Sequence, residues 1–184
     1  VSGAPTDGNW APNTTWYTIK TGGGHYIKSN VKDEDGNLKL TNTEWSDAPE
    51  ALWCIVGNDN DGYQFYNKAK GTTFVLGTTG NEQNARASFV DKTAVGANTI
   101  NYFFQASNKS GYWCVRMNSE GNNYWNNRDG YLALWNNSSA VTGWNNQGDN
   151  GSALFFEAVM DYAEVEDISD LSNTKAYFLR SSRG

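Results

Sequence analysis

"WYTIK" (residues 16–20), "GYQFY" (62–66) and "GYWCV" (111–115) are three versions of one short strand. Aligned on Tyr17, Tyr63 and Tyr112, they carry Ile19, Phe65 and Cys114 two residues later. Strand side chains two apart share a face. A second motif follows each opening. "LWCIV" (52–56), "FFQAS" (103–107) and "FFEAV" (155–159) close the segments, so that Trp53, Phe104 and Phe156 correspond, followed by Ile55, Ala106 and Ala158. Between opening and closing, "GHYIK" (24–28), "TTFVL" (72–76) and "NNYWN" (122–126) match at Tyr26, Phe74 and Tyr124. The first and third segments also share "DGNLKL" (35–40) and "DGYLAL" (129–134).

Each segment therefore holds about four short strands joined by turns rich in Gly, Asn and Asp, and three segments of about 50 residues predict twelve strands. One four-stranded unit cannot bury its apolar face. Three around a pseudo-threefold axis close a barrel and remove most sheet edges. The expectation is an all-β chain with the β-trefoil architecture, with units at about 14–61, 62–110 and 111–160. Three blades are too few for a propeller, and an immunoglobulin-like sandwich does not explain a threefold register. Residues 1–13 read as a lead-in. The acidic run "DYAEVEDISDLSN" (161–173) reads as a linker, and "KAYFLRSSRG" (175–184) resembles "TWYTIKTGGG" (15–24), so 161–184 is expected to begin a following module.

The repeat also sorts side chains by face. Trp53, Phe104 and Phe156 are expected inward, with Ile55, Ala106 and Ala158. Cys54 then falls outward, while Cys114, aligned with Ile19 and Phe65, falls inward as a small core residue. Cysteines on opposite faces make poor disulfide partners, so both are expected free.

Composition removes several functional classes. Charged residues are only 18 % of the chain while aromatics are 14 %, so its polarity comes from Asn, Thr, Ser and Gly rather than charge, unlike an acidic disordered chain. The net charge is −6 and the Lys and Arg residues form no run, which argues against nucleic acid and against anionic membrane surfaces. No apolar run approaches the roughly 18 residues that cross a bilayer. The single His25, read as a solvated turn residue, and the absence of CxxC or HxxxH leave no metal-binding pattern, and no cofactor is implied. "DEDGN" (33–37) and "NDNDG" (58–62) lack the ligand spacing of a calcium loop and read as Asp-Gly hairpin turns.

The three units resemble the ricin-type lectin trefoil over about residues 14–160, especially divergent versions attached to secreted bacterial glycan-degrading proteins. The family's Gln-x-Trp signature is absent: Ala51-Leu52-Trp53 and Leu154-Phe155-Phe156 stand in its place. The resemblance implies a shallow sugar pocket in a unit, lined by an acidic residue on the second strand, an aromatic after the third and polar side chains near the fourth. The third unit matches best. There Asn126 stands where the family has an acidic residue, Trp135 ends "LALW" at the stacking position, Asn136 and Asn137 follow it, and Asp149 and Asn150 precede the fourth strand. In unit one Thr41 replaces the Trp after "LKL", and in unit two the third strand is hard to place in "NARASFV" (84–90).

Elementary chemistry supports the third unit separately. A sugar offers an apolar C–H face and a ring of hydroxyls, which suits an indole beside carboxamides that both donate and accept. "NNYWNNRDGYLALWNNSSAVTGWNNQGDNGS" (122–152) supplies Trp125, Trp135, Trp144 and many Asn. Trp135 follows the expected inward residues Leu132 and Leu134 and so alternates outward as the candidate ligand plate, with Trp144 beside it. Trp125, aligned with Ile27 and Val75, and Trp45, in the equivalent loop of unit one, are weaker candidates.

An enzyme is the rival class. Asp47, Glu50, Glu120, Asp129 and Asp149 are available to a glycosidase, but all sit in turns with no apolar frame to raise a pKa, and no Gly-x-Ser-x-Gly is present. The expected function is a non-catalytic carbohydrate-binding module with a glycan partner, monomeric within a larger multidomain chain that is secreted, periplasmic or at the cell surface. The alternative is a structural spacer or protein-interaction trefoil that binds no sugar.

Overall fold

The computed structural model describes residues 2–29, 38–40 (backbone only), 44–94, 100–127 and 141–159. Among them are twelve strands: β1 (Trp16–Thr21), β2 (Ile27–Ser29), β3 (Leu38–Leu40), β4 (Trp53–Asn58), β5 (Gly62–Asn67), β6 (Phe74–Thr78), β7 (Ala87–Asp91), β8 (Phe103–Ala106), β9 (Trp113–Arg116), β10 (Tyr124–Asn126), β11 (Thr142–Trp144) and β12 (Leu154–Val159). Six of them form a ring in which β1 lies between β4 and β12, β5 joins β4 to β8, and β9 joins β8 to β12. The other six form the antiparallel hairpins β2–β3, β6–β7 and β10–β11. A closed six-stranded ring with three hairpins is the β-trefoil. Closure gives each of these six barrel strands a partner on both sides, which removes the open edges of the barrel.

The threefold register is visible in the pairings. Tyr17 pairs with Trp53, Tyr63 with Tyr102, and Trp113 with Leu154. One level deeper, Ile19 faces Phe156, Phe65 faces Ile55, and Val115 faces Phe104. The core fills from these levels. Phe65 is fully buried and its ring lies 4.8 Å from Trp125, 5.9 Å from Tyr102, 5.9 Å from Phe104 and 6.3 Å from Phe156. Trp53 is fully buried too, stacked on Phe89 at 5.9 Å, and its indole N–H donates to the Ile27 carbonyl at 2.9 Å. That bond satisfies the one polar group such a ring carries into the core.

These pairings correct the alignment of the closing motifs. Ile55, not Trp53, is the equivalent of Phe104 and Phe156, and Trp53 corresponds to Tyr102 and Leu154. A two-residue slip keeps every side chain on its face, so inward parity survives it. The depth does not survive. Phe104 and Phe156 are half-buried, and Ala106 and Ala158, expected inward, are exposed, because they lie at the rim opposite Trp113 and Tyr17. In unit two, Leu76 rather than Val75 joins Ile27 and Trp125 in the barrel core, and Phe74, the first residue of β6, is 41 % exposed. The third strand of that unit, unplaced from sequence, is β7 (Ala87–Asp91).

Cys114 is also reassigned. The tight turn before β9 holds Tyr112, whose N–H bonds to the Lys109 carbonyl at 3.0 Å, so the strand starts one residue late. Val115 then joins Ile19 and Phe65 in the core, and Cys114 faces outward beneath the Gln147 carbonyl, 3.8 Å away. Cys54 is outward as expected, yet fully buried. It belongs to an outer cluster with Trp16, Leu52, Tyr66 and Val75, against which Trp10 of the N-terminal lead-in packs. Trp10 meets Trp16 edge-on at 4.8 Å. The Ser2 N–H bonds to the Ile55 carbonyl at 3.0 Å, and the Gly8 N–H to the Thr72 hydroxyl at 2.9 Å. The lead-in is thus a strap on the barrel wall. Both thiols are free.

The "NDNDG" stretch forms the β4–β5 hairpin turn. Asn58 Oδ1 accepts from the N–H groups of Asn60 and Asp61, both at 2.9 Å, and Gly62 takes a φ of 86°, open to glycine without strain. Residues 33–37 and 161–184 lie outside the described residues.

Candidate functional site

Two places carry site chemistry. The first is the third unit. Here β10 pairs with β11, with Trp125 opposite Gly143 and Asn126 opposite Thr142. The strand beside β10 is therefore Thr142–Trp144, where the sequence pattern pointed to Leu132 and Leu134. Those two residues lie outside the described residues, as do Trp135, Asn136 and Asn137. Trp125 is 1 % exposed and packs edge-on against Tyr102 at 4.5 Å, so it is a core residue and no ligand plate. Trp144 is half-buried on β11 opposite Tyr124. In unit one, Trp45 is 50 % exposed.

The carboxamides of this unit gather round the 3₁₀ turn Asn150–Ser152. The Asp149 carboxylate caps that turn, accepting from the Gly151 N–H at 2.8 Å. Asn126 is fully buried, and its Nδ2 donates to the Ser152 hydroxyl at 2.9 Å, which in turn donates to the Asn146 carbonyl at 2.9 Å. Asn150 is exposed, with its carbonyl accepting from the Gly22 N–H at 3.0 Å. Asn127 is 1 % exposed and finds no partner for either side-chain polar atom among the described residues. A Cβ on Gly151 would sit 2.5 Å from Asn126 Oδ1 and 2.8 Å from Asn127 Oδ1, so the glycine makes room for both amides. The structure thus brings Asn126, Asp149 and Asn150 together around one turn.

The second place is the open end of the barrel. An open cavity of about 800 Å³ lies where the three opening strands begin. Tyr17, Tyr63 and Trp113 occupy equivalent positions at its rim, and Phe104 and Phe156, 5.4 Å apart, pack beneath them on Phe65. Trp113 is 46 % exposed, with its ring 6.2 Å from Phe104. The cavity reaches over the barrel wall to Asp59 and Asn60 of the β4–β5 turn, and to Arg116 and Ser119. The Tyr63 hydroxyl donates to Asp59 Oδ1 at 2.8 Å, and that bond, more than burial, raises the Tyr63 pKa. Tyr63 is therefore held as a neutral donor with its ring fixed at the mouth. Rigid aromatic plates beside fixed polar groups suit a ligand with an apolar face and many hydroxyls.

Sequence reasoning missed this site. Tyr17 and Tyr63 align as a repeat in the sequence, but Trp113 is one residue out of register, and nothing in the chain's spacing puts Arg116 and Asp59 in one cavity. Asp59 is the only carboxylate among the described lining residues. The carboxylate pair of the usual glycoside hydrolase is not found there. Among the described residues no cluster of His, Cys, Asp or Glu fits a metal ion, and no helix is long and apolar enough to cross a membrane.

The chain is a β-trefoil, and solved structures share its fold. The designed threefold-symmetric protein ThreeFoil superposes with a TM-score of 0.59 at 13 % identity, covering 77 % of this chain and 96 % of that one. The ricin B-like lectin of Macrolepiota procera, solved with lactose, gives 0.59 at 10 % identity over 77 % of this chain and 94 % of the lectin. The exo-β-1,3-galactanase of Clostridium thermocellum gives 0.58 at 15 % identity, covering 82 % of this chain but only 32 % of the enzyme. No family model matches the sequence, and no curated protein matches it.

Proposed function

We propose that this trefoil is a non-catalytic carbohydrate-binding module. The observation that carries the reading is the cavity at the barrel's open end, where Tyr17, Tyr63 and Trp113 surround a floor of Phe104 and Phe156. Pyranose C–H faces stack on such rings, while Asp59, Asn60 and Ser119 meet the hydroxyls. The structural likeness to a lectin solved with lactose supports the reading. The match to about a third of a galactanase supports a role as one module of a larger glycan-processing protein, secreted, periplasmic or at the cell surface. A glycan array followed by calorimetric titration tests it. Wild type should bind at least one class of oligosaccharide, and Trp113→Ala should weaken it by about 1–3 kcal/mol, the cost of losing an aromatic plate under a ring. Binding to no glycan would leave the chain as a spacer or protein-interaction trefoil.

A further inference from the structure

The cavity holds a cation that the fold does not use. Arg116 is half-buried at its wall, on the strand that carries Trp113. Its Nε is buried without a hydrogen-bond partner, and it forms no ion pair among the described residues. The chain as a whole is acidic, with a net charge of −6, and so repels anions at long range. An unpaired guanidinium in an aromatic cavity is a local exception to that field.

We infer that the cavity selects carboxylated sugars: a uronic or sialic acid whose pyranose ring lies on Trp113 and whose carboxylate pairs with Arg116. This rests on the reading of the cavity as a glycan site. A guanidinium presents parallel N–H donors that match a carboxylate in a two-bond geometry, and such charge-assisted bonds are the strong ones. Among its described lining residues the cavity offers one cation, and Asp59 stands in that same lining set, so a multiply charged phosphate fits the site less well than a single carboxylate. Asp59 accepts from the Tyr63 hydroxyl and remains an acceptor for sugar hydroxyls. A volume of about 800 Å³ accommodates a short oligosaccharide rather than a lone ring.

The test uses matched pairs of probes: cellobiouronic acid against cellobiose, and sialyllactose against lactose, titrated into the full chain by calorimetry. In at least one pair the acidic sugar should bind at least about tenfold more tightly than the neutral one. Arg116→Gln should abolish that preference, so that the acidic and neutral members of each pair bind alike, and Arg116→Lys should restore part of it. Unfolding midpoints of each variant separate lost binding from lost fold. Equal binding of acidic and neutral members in both pairs, or a preference that survives Arg116→Gln, overturns the carboxylate selection but leaves a sugar site. Binding of none of the four probes overturns the selection as well, and if the array is also blank the sugar site falls with it. Tighter binding of phenylacetate than of either acidic sugar makes the cavity a site for aromatic acids and overturns the inference.

Discussion

Trp125→Ala separates a core tryptophan from a ligand plate. The indole is 1 % exposed, lies 4.8 Å from the Phe65 ring and 4.5 Å from Tyr102, and sits at the level where three units meet. A buried aromatic removes roughly 150–250 Å² from water. At about 25 cal/mol per Å² that is about 4–6 kcal/mol, an upper estimate because unfolded chains already bury some surface. Measured Trp→Ala losses in cores run about 3–5 kcal/mol, so that is the expected cost here. The substitution also removes the ring packed edge-on against Tyr102, whose phenol pKa burial drives far up. A domain of this size is stable by about 5–15 kcal/mol, so the variant should fold with a much lower urea midpoint. Urea unfolding followed by far-UV circular dichroism measures it. A loss below about 1 kcal/mol, or an unchanged midpoint with glycan binding abolished, would refute the placement of Trp125 in the core.

Other substitutions probe other parts of the account. Asn127→Leu replaces a buried, unpartnered amide by an apolar side chain of similar size, and should stabilise the chain or leave it unchanged to within about 1 kcal/mol, read as a thermal midpoint. A loss above about 2 kcal/mol would mean that the amide is bonded. Asp149→Ala removes the cap of the 3₁₀ turn and should cost about 0.5–2 kcal/mol in urea unfolding. Burial pushes the thiols of Cys54 and Cys114 up, so the unfolded chain gives up its thiol protons first. Stability should therefore fall as pH rises through the ordinary thiol range near 8.5, and fall less in a Cys54→Ala, Cys114→Ala variant. Equal slopes for the two chains would contradict it.

Much of the fold could be read from the repeats. Tyr17 and Tyr63 and the Ile19–Phe65 level recur at a spacing that a threefold barrel requires, and the Asp-Gly turn at 58–62 marks the hairpin between the first two units. Register was harder, because a strand motif fixes parity but not position along the strand. "LWCIV" offers Trp53 and Ile55 on one face, and only the pairings of Tyr17 with Trp53 and Phe65 with Ile55 set the level. Tyr112 was lost to a turn whose length the sequence does not advertise. The Trp10 strap was silent because its partners, Trp16 and Tyr66, are distant in sequence. The candidate site showed least. Asn126 stands out in the sequence at the second strand and Asp149 before the fourth, and the structure has both organising the turn that precedes the fourth strand. The cavity joins Tyr17 and Asp59 from the first unit, Tyr63 and Phe104 from the second, and Trp113 and Phe156 from the third, a convergence created by barrel closure alone.

The most direct test of the account is a map of backbone and indole N–H resonances during titration with the tightest glycan on the array. The cavity predicts saturable shifts at Tyr17, Tyr63, Phe104, Arg116 and the Trp113 indole, with Trp53 and Trp125 unmoved. Shifts confined to residues outside this mouth, or none at saturating sugar, would contradict a glycan site at the barrel's open end.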